Sequence, residues 1–251
     1  MIHFIGAGPG AVDLITVRGA KLLGEADVII YAGSLVNPDV LGYKKADCLV
    51  YDSAGMTMED VIHVMANTEA KGQTTVRLHT GDPALFGAIR EQMDELDKLE
   101  LPYSVTPGVS AFSGAAAALN AEYTLPQVSQ SVIITRMAGR TPVPAGEELR
   151  KMASHGCTMV LFLSTGLLEQ VEQELMAGAY NANTPAAIVY KATWPEEKVF
   201  RCTVGTLAKT AKENHITKTA LITVGNFLGN DYERSKLYDP TFTHGYREAS
   251  K

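Results

Sequence analysis

The chain is short of cysteine, of positive charge and of long apolar runs, and each shortage removes a class of protein. Its three cysteines, Cys48, Cys157 and Cys202, lie far apart with no CxxC spacing. They are too few for a disulfide framework and read as reduced thiols of a cytoplasmic protein. The formal net charge is −6, which disfavours nucleic acid or an anionic membrane as a general partner, because such surfaces need clustered cations. No apolar run reaches membrane-spanning length. Met1 leads straight into the strand-like Ile2-His3-Phe4-Ile5 without a basic stretch and apolar signal segment, so secretion is not expected. The histidines (His3, His63, His79, His155, His215 and His244) show neither HExxH nor paired-cysteine spacing, and no protein-held metal is expected.

What remains is an ordinary globular composition, 46% hydrophobic and 20% charged, long enough for one large domain or two small ones. Short β-branched runs alternate with longer amphipathic segments, the pattern of an α/β fold on largely parallel sheets. Strands are expected at Ile2 to Ile5, Asp27 to Tyr31, Thr74 to Leu78 and Tyr103 to Thr106. A helix capped by Thr16 should run to Ala26 with Val17, Ala20, Leu22 and Leu23 inward, and another from Thr57 should end at Gly72. A third is expected over Ala84 to Leu99, with Pro83 suited to its first turn. The small-residue segment 111–121 reads as a closely packed helix, and the lobe junction is placed just beyond it.

The alternation then resumes. Strands are expected at Ser131 to Thr135, Met159 to Leu163, Ala186 to Lys191 and Ala220 to Val224, with helices near 147–155, 167–178 and 205–214. Lys198 to Cys202, after a Trp194-Pro195 break, is expected to pair antiparallel, which makes the second sheet mixed. The organisation is therefore an N-terminal α/β lobe over 1–121, a C-terminal α/β lobe over 122–228, and a polar tail over 229–251 that is loop, partner contact or disorder.

Three loops stand out. Gly6-Ala7-Gly8-Pro9-Gly10-Ala11 follows a strand and superficially fits a dinucleotide fingerprint. Against NAD, its helix opens several residues late, no acidic residue ends the second strand at Tyr31-Ala32-Gly33-Ser34, and Pro9 removes an amide donor. A bare strand-to-helix turn is the alternative. His79-Thr80-Gly81-Asp82-Pro83 lies at the carboxyl end of a strand, where open α/β sheets bind ligands; Asp82 is a ligand contact or a helix cap. Thr106-Pro107-Gly108-Val109-Ser110-Ala111 is similar, with Ser110 a contact or an N-cap. All three fall at strand carboxyl ends, and their concurrence is the specific signal.

Together with Ser53-Ala54-Gly55-Met56, the run Thr135 to Pro144 and Tyr190-Lys191-Ala192-Thr193-Trp194-Pro195, these loops resemble the tetrapyrrole (corrin/porphyrin) methylase family over residues 1–228. The resemblance implies two α/β lobes with S-adenosylmethionine in the cleft between them, a corrin-ring precursor as methyl acceptor, and a homodimer. It further implies cofactor contacts from Pro9, Thr80, Gly81, Asp82, Leu85, Ser110 and Ala111, and from Leu163, Ala192 and Ala220. Leu163 and Ala192 stand where relatives often carry Met and Gly. A substrate rich in carboxylates needs local cations; Arg136 and Arg140 fit, flanking a glycine in a Pro-rich loop, with Lys191 as a third. A methyl on a sulfonium is already electrophilic, so no nucleophile is demanded of the protein. No base is identified; His79, Asp82 and Tyr31 are the candidates. Methylation of another ring position, and a non-catalytic nucleotide-binding module, are the competing readings.

Overall fold

Ten strands form two five-stranded sheets in a computed structural model that describes residues 1–250. The first sheet uses β1 (Ile2–Gly6), β2 (Val28–Tyr31), β3 (Leu49–Asp52), β4 (Thr75–His79) and β5 (Tyr103–Thr106). Their spatial order is β3-β2-β4-β1-β5 and every pairing is parallel. Parallel strands need covering on both faces, and the period-two alternation supplies it. Ile5, Ile29 and Leu78 face one core with Leu23, while Ile2, Phe4 and Ile30 face another with Met65 and Leu96.

The helices follow from their caps. Helix α1 (Val17–Glu25) starts at Thr16, whose hydroxyl accepts from the Gly19 amide at 3.0 Å. Helix α2 (Met58–Glu69) starts at a capping box in which Thr57 and Asp60 satisfy each other's amides. Two expectations need correction here. Val17 is 89% exposed rather than inward, because the core-facing side of α1 runs through the buried Gly19 and Leu23. The helix expected from Ala84 begins only as α3 (Ile89–Lys98). Phe86 and Ala88 adopt left-handed φ values of 57° and 50°, which a continuing helix cannot accommodate, so Pro83 to Ala88 is a loop. Strand β3 carried no sequence signal, since all four of its residues are exposed at the sheet edge.

Helix α4 (Ala111–Leu119) leads to the second sheet, built from β6 (Val132–Arg136), β7 (Thr158–Phe162), β8 (Pro185–Tyr190), β9 (Lys198–Thr203) and β10 (Ala220–Val224). The order is β6-β7-β10-β8-β9; β6 and β7 are parallel and the other pairings antiparallel. Strand β9 thus pairs as its position after the Trp194-Pro195 break suggested. Helices α5 (Leu149–Ala153), α6 (Leu168–Met176) and α7 (Leu207–Glu213) contribute Leu149, Val171, Leu175 and Leu207 to a core with Met159, Ile188 and Ile222.

The chain forms two compact units. One is Met1–Ala115 with Lys191–Glu197; the other is Ala116–Tyr190 with Lys198–Lys251. The division falls inside α4 rather than beyond it, and the first unit takes in a short strap between β8 and β9 that belongs to neither sheet. Residues 229–250 carry a single 3-10 turn, Lys236–Tyr238, and expose Tyr238 and Tyr246.

Candidate functional site

Strands β4, β1 and β5 are neighbours, so the three loops named from sequence leave adjacent carboxyl ends of one parallel sheet. They are hydrogen-bonded into a single rim. The Ala7 amide donates to the His79 carbonyl at 2.7 Å, and Gly8 and Gly81 exchange bonds of 3.3 and 2.8 Å. The Gly108 amide donates to Asp82 Oδ2 at 2.8 Å, and the Ala84 amide to Asp82 Oδ1 at 2.8 Å. Glycine is obligatory at the junction: a Cβ on Gly6 would stand 2.5 Å from both Gly108 Cα and the Gly81 carbonyl oxygen. Gly81 itself sits at φ +59°, a conformation costly for other residues.

These bonds decide what the first loop can hold. A pyrophosphate needs several free amides pointing at it. Ala7 and Gly8 donate to β4's loop, Ala11 donates to Thr193 Oγ1 at 2.9 Å, and Pro9 has no N–H. Of the segment Ala7 to Ala11, only Gly10 retains an uncommitted amide, and the dinucleotide reading fails on donor supply.

The remaining residues of the first rim vary in access. Thr80 is exposed, Asp82, Leu85 and Ala111 are half-buried, and Pro9, Gly81 and Ser110 are buried. Of the candidate bases, His79 is 7% exposed and its Nε2 has no partner among the described residues. Burial, with the Arg77 guanidinium as a second cause, pushes its pKa down to about 3. Buried beneath the rim and with its proton affinity lowered by that burial, it is poorly placed and too weakly basic to take a proton from a substrate. Beside it, Arg77 is buried too, donating to Gln92 Oε1 at 3.1 Å and the Ile30 carbonyl at 3.2 Å. Both Asp82 oxygens already accept from backbone amides, which counts against it as a base. Tyr31 is half-buried, its carbonyl accepting from Ser53 Oγ at 3.1 Å. The next strand ends, at β2 and β3, are joined by Asp52, which accepts from the Gly33 and Ala54 amides; those bonds hold its carboxyl below the usual carboxylate range.

In the second unit, Arg136, Leu163 and Ala220 gather at one end of the sheet. Arg136 pairs in register with Phe162 and Ala220 with Tyr190. Leu163 is left-handed at φ 52° and 67% exposed. Next to it Ser164, fully buried, accepts from the Met137 amide at 2.8 Å, and Thr165 Oγ1 donates to the Ala220 carbonyl at 3.1 Å. The two arginines differ. Arg136 folds onto its own loop, donating to the Thr141 and Pro142 carbonyls at 3.2 and 2.6 Å, whereas Arg140 is exposed, with no side-chain partner among the described residues.

The strap that returns to the first unit carries Lys191 and Ala192 and also Thr193 and Trp194, which belong to the run that carries the resemblance but were given no site role from sequence. Ala192 is 7% exposed. Lys191 pairs with Glu196 at 3.5 Å and lies 4.7 Å from the Trp194 ring centre. Trp194 Nε1 donates to the Pro9 carbonyl at 3.0 Å. The available hint was composition: this is the chain's single tryptophan.

Among known proteins, residues 1–208 match the model of the tetrapyrrole (corrin/porphyrin) methylases. The cobalt-precorrin-4 C(11)-methyltransferase of Methanocaldococcus jannaschii is 50% identical over 251 residues, covering 100% of this chain and 97% of that protein. The X-ray structure of a cobalt precorrin-4 methyltransferase is similar with a TM-score of 0.89 and 45% identity, over 91% of this chain and 96% of that one. The uroporphyrin-III C-methyltransferase of Thermus thermophilus, solved with S-adenosylhomocysteine, shares the fold at a TM-score of 0.75 and 23% identity, over 90% of this chain and 98% of that one.

Proposed function

Because the chain belongs to the tetrapyrrole (corrin/porphyrin) methylases, we propose that it methylates carbon 11 of cobalt-precorrin-4, or of precorrin-4, with S-adenosylmethionine in cobalamin biosynthesis. The observation that carries this reading is the match to the Methanocaldococcus jannaschii enzyme over the whole chain.

The residues present suit the cofactor. The first rim is built from neutral backbone, closed at Gly6, Gly81 and Gly108, with too few free amides for a phosphate. That shortage of donors counts against a dinucleotide and is compatible with a nucleoside that carries no phosphate. Within the first unit, Pro9, Thr80, Gly81, Asp82, Leu85, Ser110, Ala111 and Ala192 would hold S-adenosylmethionine; Leu163 and Ala220, in the second unit, are contacts that the family resemblance implies. When bound, S-adenosylmethionine supplies a sulfonium methyl that an electron-rich ring carbon can accept directly.

The protein's own contribution is placement, which is worth several kcal/mol when reacting atoms are held in line. Asp82 fixes the rim by tying the Gly108 amide to β4's loop. Arg140 meets ring carboxylates with an uncommitted guanidinium fork, while Arg136 holds the loop that carries it. Lys191, half-buried over Trp194, supplies a further cation at the start of the strap. With His79 buried and both Asp82 oxygens occupied, Tyr31, half-buried at the end of β2, is the one of the three candidate bases still open to proton removal. No described helix is long and apolar enough to cross a membrane, in keeping with a biosynthetic enzyme working in the cytoplasm, and we read the active form as a homodimer.

The test is incubation with methyl-labelled S-adenosylmethionine and each acceptor, with and without cobalt, followed by NMR. A label on carbon 11 is expected; a label on another ring carbon, or none, overturns the assignment.

A further inference from the structure

The strap Lys191–Glu197 is held in a costly conformation and grips the first glycine loop. Lys191 and Thr193 adopt φ values of 45° and 68°. For β-branched Thr193 this is a genuine outlier, and such strain persists only where surrounding structure enforces it, most often at functional sites. The strap is fixed internally as well: the Trp194 amide donates to the Lys191 carbonyl at 3.0 Å, and the Thr193 amide to Glu197 Oε2 at 2.5 Å.

Its grip on the loop consists of two hydrogen bonds and one close packing, with helix α4 packed against both. Trp194 Nε1 donates to the Pro9 carbonyl, and Thr193 Oγ1 accepts from the Ala11 amide. The indole lies so close over Gly10 that any Cβ there would overlap it. A Cβ on Gly114 would stand 2.9 Å from Pro9 Cβ and 3.1 Å from the Thr193 methyl. From elsewhere the buried Asn37 donates to the Gly10 carbonyl at 2.9 Å. Pro9, Gly10 and Ala11 are therefore each tied by a side chain distant in sequence, two of the three from the strap.

We propose that Thr193 and Trp194 are positioning residues: they hold the Pro9–Ala11 backbone in the one conformation that receives the cofactor, so cofactor affinity follows the strap's two hydrogen bonds. The proposal rests on the reading of the first rim as the S-adenosylmethionine site. A loop free to relax would pay its ordering entropy on binding, which appears as weaker affinity.

Four forms of the full-length protein test it: wild type, Thr193→Val, Thr193→Ser and Trp194→Phe. Valine keeps the shape and the strain of Thr193 but leaves the Ala11 amide without an acceptor; serine restores it. Calorimetric titration with S-adenosylhomocysteine should show about tenfold weaker binding for Thr193→Val, equivalent to about 1.4 kcal/mol, and a similar direction for Trp194→Phe. Thr193→Ser should return close to wild type. In turnover, the KM for S-adenosylmethionine should rise while kcat stays nearly constant. Since Trp194 is the single tryptophan, its emission should also shift as wild type is saturated with S-adenosylhomocysteine.

Unchanged affinity in both Thr193→Val and Trp194→Phe, with only the melting temperature lowered, makes the strap merely structural and overturns the proposal. Should Thr193→Val fail to fold, Trp194→Phe and the wild-type emission decide alone. Wild type that does not bind S-adenosylhomocysteine at all overturns the cofactor site itself, a result distinct from binding that ignores the strap.

Discussion

Replacing Asp82 by asparagine and by alanine separates its two hydrogen bonds. Both are 2.8 Å, but the one from the Ala84 amide is exposed and the one from the Gly108 amide is partly buried. Charge-assisted bonds of this kind are worth about 1.5–3 kcal/mol when shielded and much less in water. Asparagine keeps one acceptor oxygen and can turn it toward the Gly108 amide, leaving the Ala84 amide to solvent. The expected cost of Asp82→Asn is therefore about 1 kcal/mol, a fall of about 2–4 °C in melting temperature for a chain of this size. Alanine strands both amides, and the shielded one cannot recover a partner without opening the rim; the expected cost is about 2–4 kcal/mol. S-adenosylhomocysteine affinity should follow the same order, Asp, then Asn, then Ala, because the Gly6–Gly81–Gly108 junction loosens in step. Urea denaturation and calorimetric titration of the three proteins measure both series. If alanine melts within about 1 °C of wild type, or if asparagine and alanine are equivalent, the partition of burial between the two bonds is wrong.

The arginines should divide by role: Arg140→Ala should weaken tetrapyrrole binding with salt-dependent loss and an unchanged melting temperature, whereas Arg136→Ala should lower both, since its guanidinium bonds the Thr141 and Pro142 carbonyls. S-adenosylhomocysteine affinity should survive both, and titration calorimetry with each ligand checks the pair. His79 gives a pH prediction. Its folded pKa, pushed down to about 3 by burial, lies below an unfolded value of about 6.5, so the unfolded state binds the extra proton. The stability it contributes is present above about pH 6.5 and is lost as pH falls toward 3. His79→Gln should flatten the acid limb of the urea-stability profile, and an unaltered limb would show that His79 protonates without unfolding.

Much of the scaffold was legible locally. Thr16 and Thr57 announced their helices because a cap needs only a hydroxyl and amides three residues on. The buried strands of the first unit and β10 of the second were visible as short runs rich in β-branched residues, even though buried β4 carries Arg77 and His79. Legibility failed where burial did not enforce a pattern. Exposed β3 left no periodicity, and the helix expected at Ala84 was displaced because Asp82 turns its carboxylate to the Gly108 amide while Phe86 and Ala88 take left-handed backbone. His79 looked like a base because sequence shows a residue's type and neighbours but not its burial.

The sequence by itself determined two α/β sheets, their caps and turns, and three glycine loops at strand ends, because each of these depends on spacing within a few residues. Only the tertiary structure decided that β4, β1 and β5 are neighbours, that the first loop's amides are already committed, and that a strap 185 residues away along the chain binds the Pro9 carbonyl. Such contacts join segments remote in sequence, and a hydrogen bond formed by chain return leaves no mark on the local pattern of either partner.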